Sequence, residues 1–219
     1  MFEAADIIQK LQLVAQELPS GKFSVAQKQI AQKYDEIERS LIEEFVKAHS
    51  SGDRQKMKDV ASILSHFKGY SQGIDAFIEQ SQMASYFSFK WVQIIKWVSS
   101  TKITISEHQG AFVSGDIFAD VVPLCERNAP IIKEVFHNSE QVMGKFILNI
   151  FYGKLQEHIV GRLADRSRPD QYLKRLHDLY SRTTKLSIDL ARFDTGNDQT
   201  FLSKLVKNIF QRYLESYIR

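Results

Sequence analysis

An all-α chain, an elongated stack of antiparallel helical bundles, is predicted by three observations. Glycine (10) and proline (4) are scarce among the 219 residues, which disfavours a turn-rich β architecture. Apolar residues recur at spacings of three and four along most of the chain, the period of a helix with one buried face. The breaks between these segments are short, so consecutive helices must lie side by side and run in opposite directions. The reading gives about eight helices, mostly of roughly 15–25 residues, with no period regular enough for a solenoid repeat.

The first helix is expected from Glu3 to Leu18, with Ile7, Leu11, Val14 and Leu18 as its apolar stripe. Pro19 and Gly21 end it. Ser24 and Gln27 have the spacing of a capping box for the second helix. In that helix Ile30, Tyr34, Ile37, Leu41, Phe45 and Ala48 face the core, and Gln32, Asp35, Glu36, Arg39 and Glu43 face water. Ser51-Gly52 closes it. Asp53 is placed to cap a third helix carrying Met57, Val60, Leu64 and Phe67. Gly69 is expected as its left-handed terminator. A fourth helix with Tyr70, Ile74, Phe77 and Ile78 fades near Tyr86.

The pattern then changes. Between Phe87 and Val113 apolar residues crowd the whole helical circumference, Ile103 and Ile105 alternate at the strand period, and both tryptophans (Trp91, Trp97) occur. This divides the chain into a first helical part, 1–86, a discordant insertion, 87–114, and a second helical part, 115–219. The insertion is either unstructured or translated non-coding sequence.

Helical spacing returns with Ile117, Val121, Leu124, Cys125, Ile131, Val135 and Phe136. Pro123 and Pro130 should kink or split that helix. Asn138 or Ser139 caps the next one, with Val142, Phe146, Ile150, Leu155, Ile159 and Leu163 on one stripe. Pro169 suits the first turn of a further helix, seamed by Tyr172, Leu176, Leu179, Thr183, Leu186, Leu190 and Phe193. After a loop at 194–197, Asp198 caps a last helix with Phe201, Leu202, Leu205, Ile209 and Tyr213.

No residue pattern points to catalysis. The six histidines are scattered, without a His-Glu-x-x-His motif. Glu134 and His137 stand three apart, as in di-iron bundles, but the second copy such a centre needs is missing, so a metal-dependent helical oxidoreductase is disfavoured. Cys125 lies beside Leu124 on an apolar stripe and reads as a buried structural thiol rather than a nucleophile. Phosphate-binding glycine loops are missing from the sequence, and no cofactor is expected. Net charge is +3. Residues 1–110 are balanced at 13 basic and 13 acidic, leaving 16 against 13 in the remainder, too even for a nucleic-acid partner. No stretch approaches the roughly 18 apolar residues of a membrane span. The single cysteine suits a reducing compartment, and the first twenty residues lack a signal pattern, so a cytoplasmic location is expected.

One cluster stands out as a possible polar contact patch: Arg162, Arg166, Arg168, Lys174 and Arg175 gather around one helix junction. They suit lipid headgroups or an acidic partner. Asp165, Asp170 and Asp178 are interleaved, and a solvated face is the plainer reading.

Several segments also resemble a known family. They are EAADIIQKLQLVAQELP (Glu3–Pro19), HFKGYSQGIDAFIEQ (His66–Gln80), GDIFADVVPLC (Gly115–Cys125), QYLKRLHDLYSRTTKLS (Gln171–Ser187) and QTFLSKLVKNIFQRYLESYI (Gln199–Ile218). Together these words are similar to the exocyst component five family, the tenth Sec-type subunits of the vesicle-tethering exocyst, over about 190 residues in order. The resemblance implies a helical rod, peripheral at plasma-membrane sites of exocytosis. It also implies contacts with other exocyst subunits, especially component six, and with small GTPases through the full complex. It carries no catalytic residues to this chain. It further implies a fragment, short isoform or incomplete gene product, since the family's N-terminal coiled coil and C-terminal bundles have no counterpart here. The competing function is a membrane-peripheral helical module that binds acidic lipids through Arg166 and Arg168.

Overall fold

The computed structural model describes residues 2–19, 21–82, 116–198 and 200–215. Every regular element among them is helical, as composition and spacing predict. The segment 87–114, with both tryptophans, and the expected helix end near Tyr86 lie outside the described residues. By packing, the chain divides into two compact units, residues 1–80 with 134–137, and residues 81–133 with 138–219.

The first unit contains α1 (Phe2–Glu17), α2 (Ser24–Ser51) and α3 (Arg54–Leu64), followed by α4 over residues 70–82, whose last two residues fall in the second unit. Gly52 and Asp53 alone join α2 to α3. Gly52 adopts φ 71° and its N–H reaches the Ala48 and His49 carbonyls, a left-handed termination that costs glycine nothing. Asp53 then accepts from Lys56 N at 3.0 Å, the capping bond expected from the sequence. So tight a link makes an antiparallel hairpin. Its core is Leu41, Phe45 and Ala48 of α2 against Met57, Val60 and Leu64 of α3. The ring of Phe136, from residues 134–137, meets Phe45 at 5.8 Å and the edge of Phe77 at 5.4 Å. Burying side chains of this size contributes about 1.5–3 kcal/mol each.

Two local expectations fail here, for clear reasons. The Ser24/Gln27 capping box does not form, since Phe23 is the N-cap and makes no side-chain capping bond. The Gln27 amide instead donates to the Ala15 and Leu18 carbonyls at 2.8 and 3.0 Å. Carbonyls left over at the end of α1 thus win the side chain that spacing assigned to α2. Gly69 is not left-handed; only Gly52 and Gly196 have positive φ among the described residues. A Cβ at Gly69 would lie 2.6 Å from Glu38 Cδ, so that flexible side chain would have to shift, and the Gly69 N–H donates to Glu38 Oε1 at 2.6 Å.

The second unit holds α5 (Ile117–Val135, whose last residues join the first unit), α6 (Ser139–Ile150), a π-turn at Phe151–Leu155, α7 (Gln156–Arg162), α8 (Pro169–Leu190) and α9 (Phe201–Glu215). Of the kink or split expected of α5, the split does not occur; the helix runs through both prolines. Pro123 and Pro130 lie on its exposed side, and the carbonyls they deprive of a donor belong to Ala119 and Glu126, also exposed. Water can therefore replace the lost bonds. Asn138 sits at the N-cap of α6 without a capping bond; its amide donates to Gln141 Oε1.

The π-turn was visible in the sequence as a single step of five. Buried Val142, Phe146 and Ile150 are followed by Leu155, Ile159 and Leu163, and the one long interval spans Phe151–Leu155. The extra residue in that turn rotates the following helix back, so the late members stay on the core face. In the same unit Leu176, Leu179, Leu186 and Leu190 of α8 and Leu205, Ile209 and Phe210 of α9 are buried as well. The loop before α9 packs tightly on α6: a Cβ on Gly144 would come within 2.7 Å of the Thr195 carbonyl. Asp198 accepts from the Thr200 N–H at 2.9 Å, turning the chain into α9.

Candidate interaction surface

The first candidate surface is the outer face of α1. The expected stripe of Ile7, Leu11, Val14 and Leu18 is not the buried one. Ile7, Leu11 and Val14 are 57%, 44% and 58% exposed, and Leu13 is exposed with them. The residues turned inward are Ala5, Ile8 and Ala15, with Gln12 half-buried between them. Positions 5, 8, 12 and 15 make a helical stripe as regular as 7, 11, 14 and 18, so periodicity alone does not choose between them. Contacts with α2 choose the small side chains, which let two helix backbones approach closely. Polar bonds then fix the rotation: Gln27 caps the end of α1, and the Gln9 amide donates to the His66 carbonyl. The larger apolar residues remain in water, where Phe23 and Val25 at the start of α2 are exposed as well.

The second candidate is the basic cluster around the α7–α8 junction, in the other unit. Arg162, Arg166, Arg168 and Lys174 are exposed and Arg175 is half-buried. The fold gives them different roles. Arg175 bridges the junction, its Nη2 donating to the Asp165 carbonyl at 2.9 Å and lying 3.7 Å from the Asp165 carboxylate. Arg166 lies over the Tyr172 ring, 5.6 Å from its centre. Arg162, Arg168 and Lys174 have no ion-pair partner among the described residues. Ser167 donates from both its N–H and its hydroxyl to Asp165 Oδ1, at 3.0 and 2.6 Å. Those bonds, with Arg175 nearby, hold the Asp165 carboxyl below the ordinary carboxylate range.

Residues with possible chemistry are occupied structurally. Cys125 is buried, and burial pushes its thiol up to about 12, far from the depressed value of a nucleophilic thiolate. Glu134 pairs with Arg54 at 3.4 Å, while His137 stacks on Tyr70 with ring centres 5.4 Å apart. Burial also pushes the Tyr70 hydroxyl up to about 12. Among the described residues no three His, Cys, Asp or Glu side chains come together as metal ligands. No described helix is long and apolar enough to cross a membrane.

Residues 3–219 match the family described as "Exocyst complex component Sec10-like, alpha-helical bundle". The chain belongs to the Sec10-like exocyst component family. Among relatives, Exocyst complex component 5 of Drosophila melanogaster is 44% identical over 218 residues, covering 99% of this chain and 27% of the relative. Exocyst complex component 5 of Homo sapiens is 44% identical over 219 residues, with the same coverage. Exocyst complex component SEC10 of Saccharomyces cerevisiae is 22% identical over 238 residues, covering 97% of this chain and 27% of the relative. The chain thus spans 27% of the length of these relatives. For a Sec10-like exocyst component, the all-α bundle is the family's own architecture, and the resemblance carried by the five quoted segments identified the family correctly.

Proposed function

We propose that this chain is a non-catalytic scaffold segment of the exocyst that helps tether secretory vesicles to the plasma membrane through subunit–subunit contacts. The observation that carries the reading is the match of nearly the whole chain to one component family. It is supported by the outer face of α1, where Ile7, Leu11 and Val14 remain in water although the helix packs on α2. The occupant proposed for that face is an apolar-faced helix of exocyst component six. Large aliphatic anchors set among the exposed polar residues Asp6, Lys10, Gln16 and Glu17 are the pattern from which interface affinity comes. Small-GTPase contacts, and residence at sites of exocytosis, would come through the assembled complex. Residues 87–114 are read as an insertion between two helical parts, a reading that rests on their discordant pattern.

The test is binding of the purified chain to purified component six, compared with the chain carrying Ile7→Ser, Leu11→Ser and Val14→Ser together. Loss of at least tenfold in affinity with an unchanged melting temperature supports the proposal. Equal binding by both chains rejects the α1 face. Self-association of the parent chain that the triple variant lacks would assign the face to a second copy instead.

A second reading, contact with acidic lipids, is favoured by one observation: Arg162, Arg168 and Lys174 are exposed without carboxylate partners among the described residues. Flotation with phosphatidylserine vesicles tests it. Binding that Arg166→Glu with Arg168→Glu abolishes supports it, and no binding at low salt removes it.

A further inference from the structure

The loop between α7 and α8 carries Ser167 between Arg166 and Arg168, with Arg162 five residues before it and Pro169 two after. Among the described serines it is the exposed one that lies outside any helix or turn. Ser40, Ser50 and Ser203 are exposed too, but each sits in a helix and gives its hydroxyl to a backbone carbonyl of the preceding turn. A phosphoacceptor must be drawn out as an extended segment to reach a kinase active site. Residues 165–167 lie outside the helical bonding, and Arg168, whose carbonyl takes the first bond of α8 from the Tyr172 N–H, holds extended angles, φ −123° and ψ 100°. What restrains Ser167 is local: its N–H and hydroxyl both bond Asp165 Oδ1, which involves neither unit's core.

We propose that Ser167 is a phosphorylation site for an ATP-dependent kinase that selects serine between arginines. In the reaction Ser167 Oγ bonds the γ-phosphorus of ATP, the bond to the β-phosphate oxygen breaks, ADP leaves, and the hydroxyl proton passes to the kinase's base. The product carries a phosphate of about −1.5 to −2 charge at neutral pH. That group repels the neighbouring Asp165 carboxylate. It also lies beside Arg175, whose guanidinium already reaches the Asp165 carbonyl at 2.9 Å and can pair with the phosphate instead. It sits just before the first turn of α8, where the helix dipole favours negative charge. Arg162, Arg166, Arg168, Lys174 and Arg175 outnumber Asp165, Asp170 and Asp178 by two, an excess that one phosphate cancels. The modification therefore switches this surface from basic to neutral. It is independent of the scaffold reading.

The experiment is treatment of the purified chain with ATP and an arginine/serine-dipeptide kinase, followed by mapping of chymotryptic peptides by mass spectrometry. Incorporation at Ser167, lost in Ser167→Ala, is expected. No phosphate at Ser167 while a control Arg-Ser peptide is fully converted overturns the proposal. On the phosphorylated chain, phosphorus NMR should give a phosphate pKa at least about half a unit below that of the same free phosphopeptide, restored by Arg175→Gln. An identical pKa in chain and peptide overturns the pairing with Arg175.

Discussion

Helices α1 and α8 present sequence patterns of the same quality and opposite outcomes. In α8 the seam of Tyr172, Leu176, Leu179, Thr183, Leu186 and Leu190 is buried along its whole length. In α1 the stripe of largest residues faces water, and a stripe containing two alanines is packed. The difference lies in what else each helix offers. On α8 ten of the thirteen residues between seam positions are polar or charged, the exceptions being the exposed Leu173, Tyr180 and Ile188, so one face is clearly the more apolar. On α1 apolar residues occupy two faces, and the choice falls to close backbone approach and to two side-chain bonds, from Gln27 of α2 to the end of α1 and from Gln9 of α1 to the distant His66 carbonyl. A helix with one apolar face reports its core; a helix with two reports a core and a further surface.

The comparison can be broken by substitution, and the largest effects belong to the packed seams. Phe146→Ala in α6 and Leu176→Ala in α8 should each destabilise the chain by about 2–5 kcal/mol in urea unfolding, whereas Leu11→Ala in α1 should stay within about 0.5 kcal/mol. A cost above about 2 kcal/mol for Leu11→Ala would show that the α1 stripe is core after all. Next comes Gly144→Val, which drives a side chain into the Thr195 carbonyl and should cost about 1–3 kcal/mol. Gln27→Ala should cost about 1 kcal/mol and act locally, raising amide exchange at the end of α1 while α3 is unaffected. Equal exchange changes in both helices would argue against the α1 cap.

The smallest effect is a pH dependence. Burial holds the His49 imidazole below its ordinary 6.5 against the opposing bond from Gln80, and burial does the same to His158 beside Phe118. As pH falls through about 6.5 the unfolded chain takes up protons first, so stability is full above that value. It declines below it, levelling once the folded rings protonate. Melting temperatures between pH 7.5 and 5.5 should fall for the parent chain and fall less for His49→Gln with His158→Gln. Parallel curves would remove both histidines from the account.

Much of this molecule was legible in its sequence because helices leave a period. Nearly all elements, the Asp53 cap, the Gly52 stop, the buried Cys125 and the core face of α8 followed from spacing and residue type. What was missed depends on tertiary partners. Gln27 has a capping position by spacing, but the Ala15 and Leu18 carbonyls reach it only after α1 folds back on α2. Gly69 has the composition of a helix stop; its close neighbour Glu38 comes from another helix. The prolines of α5 predict a kink or a split, and only their exposure shows why the helix need not split. The candidate surfaces divide in the same way. The basic cluster was readable as a run of arginines and lysine, while the α1 face became visible only once the other face was seen to be packed.

The most direct test of the central claim, that α1 spends its small face on the fold and keeps its large one for a partner, is one paired measurement. Melting temperature and affinity for component six are compared between the parent chain and the Ile7→Ser, Leu11→Ser, Val14→Ser variant. Unchanged melting with at least a tenfold loss of affinity is the predicted result. A large drop in melting temperature, or full affinity in the variant, would contradict it.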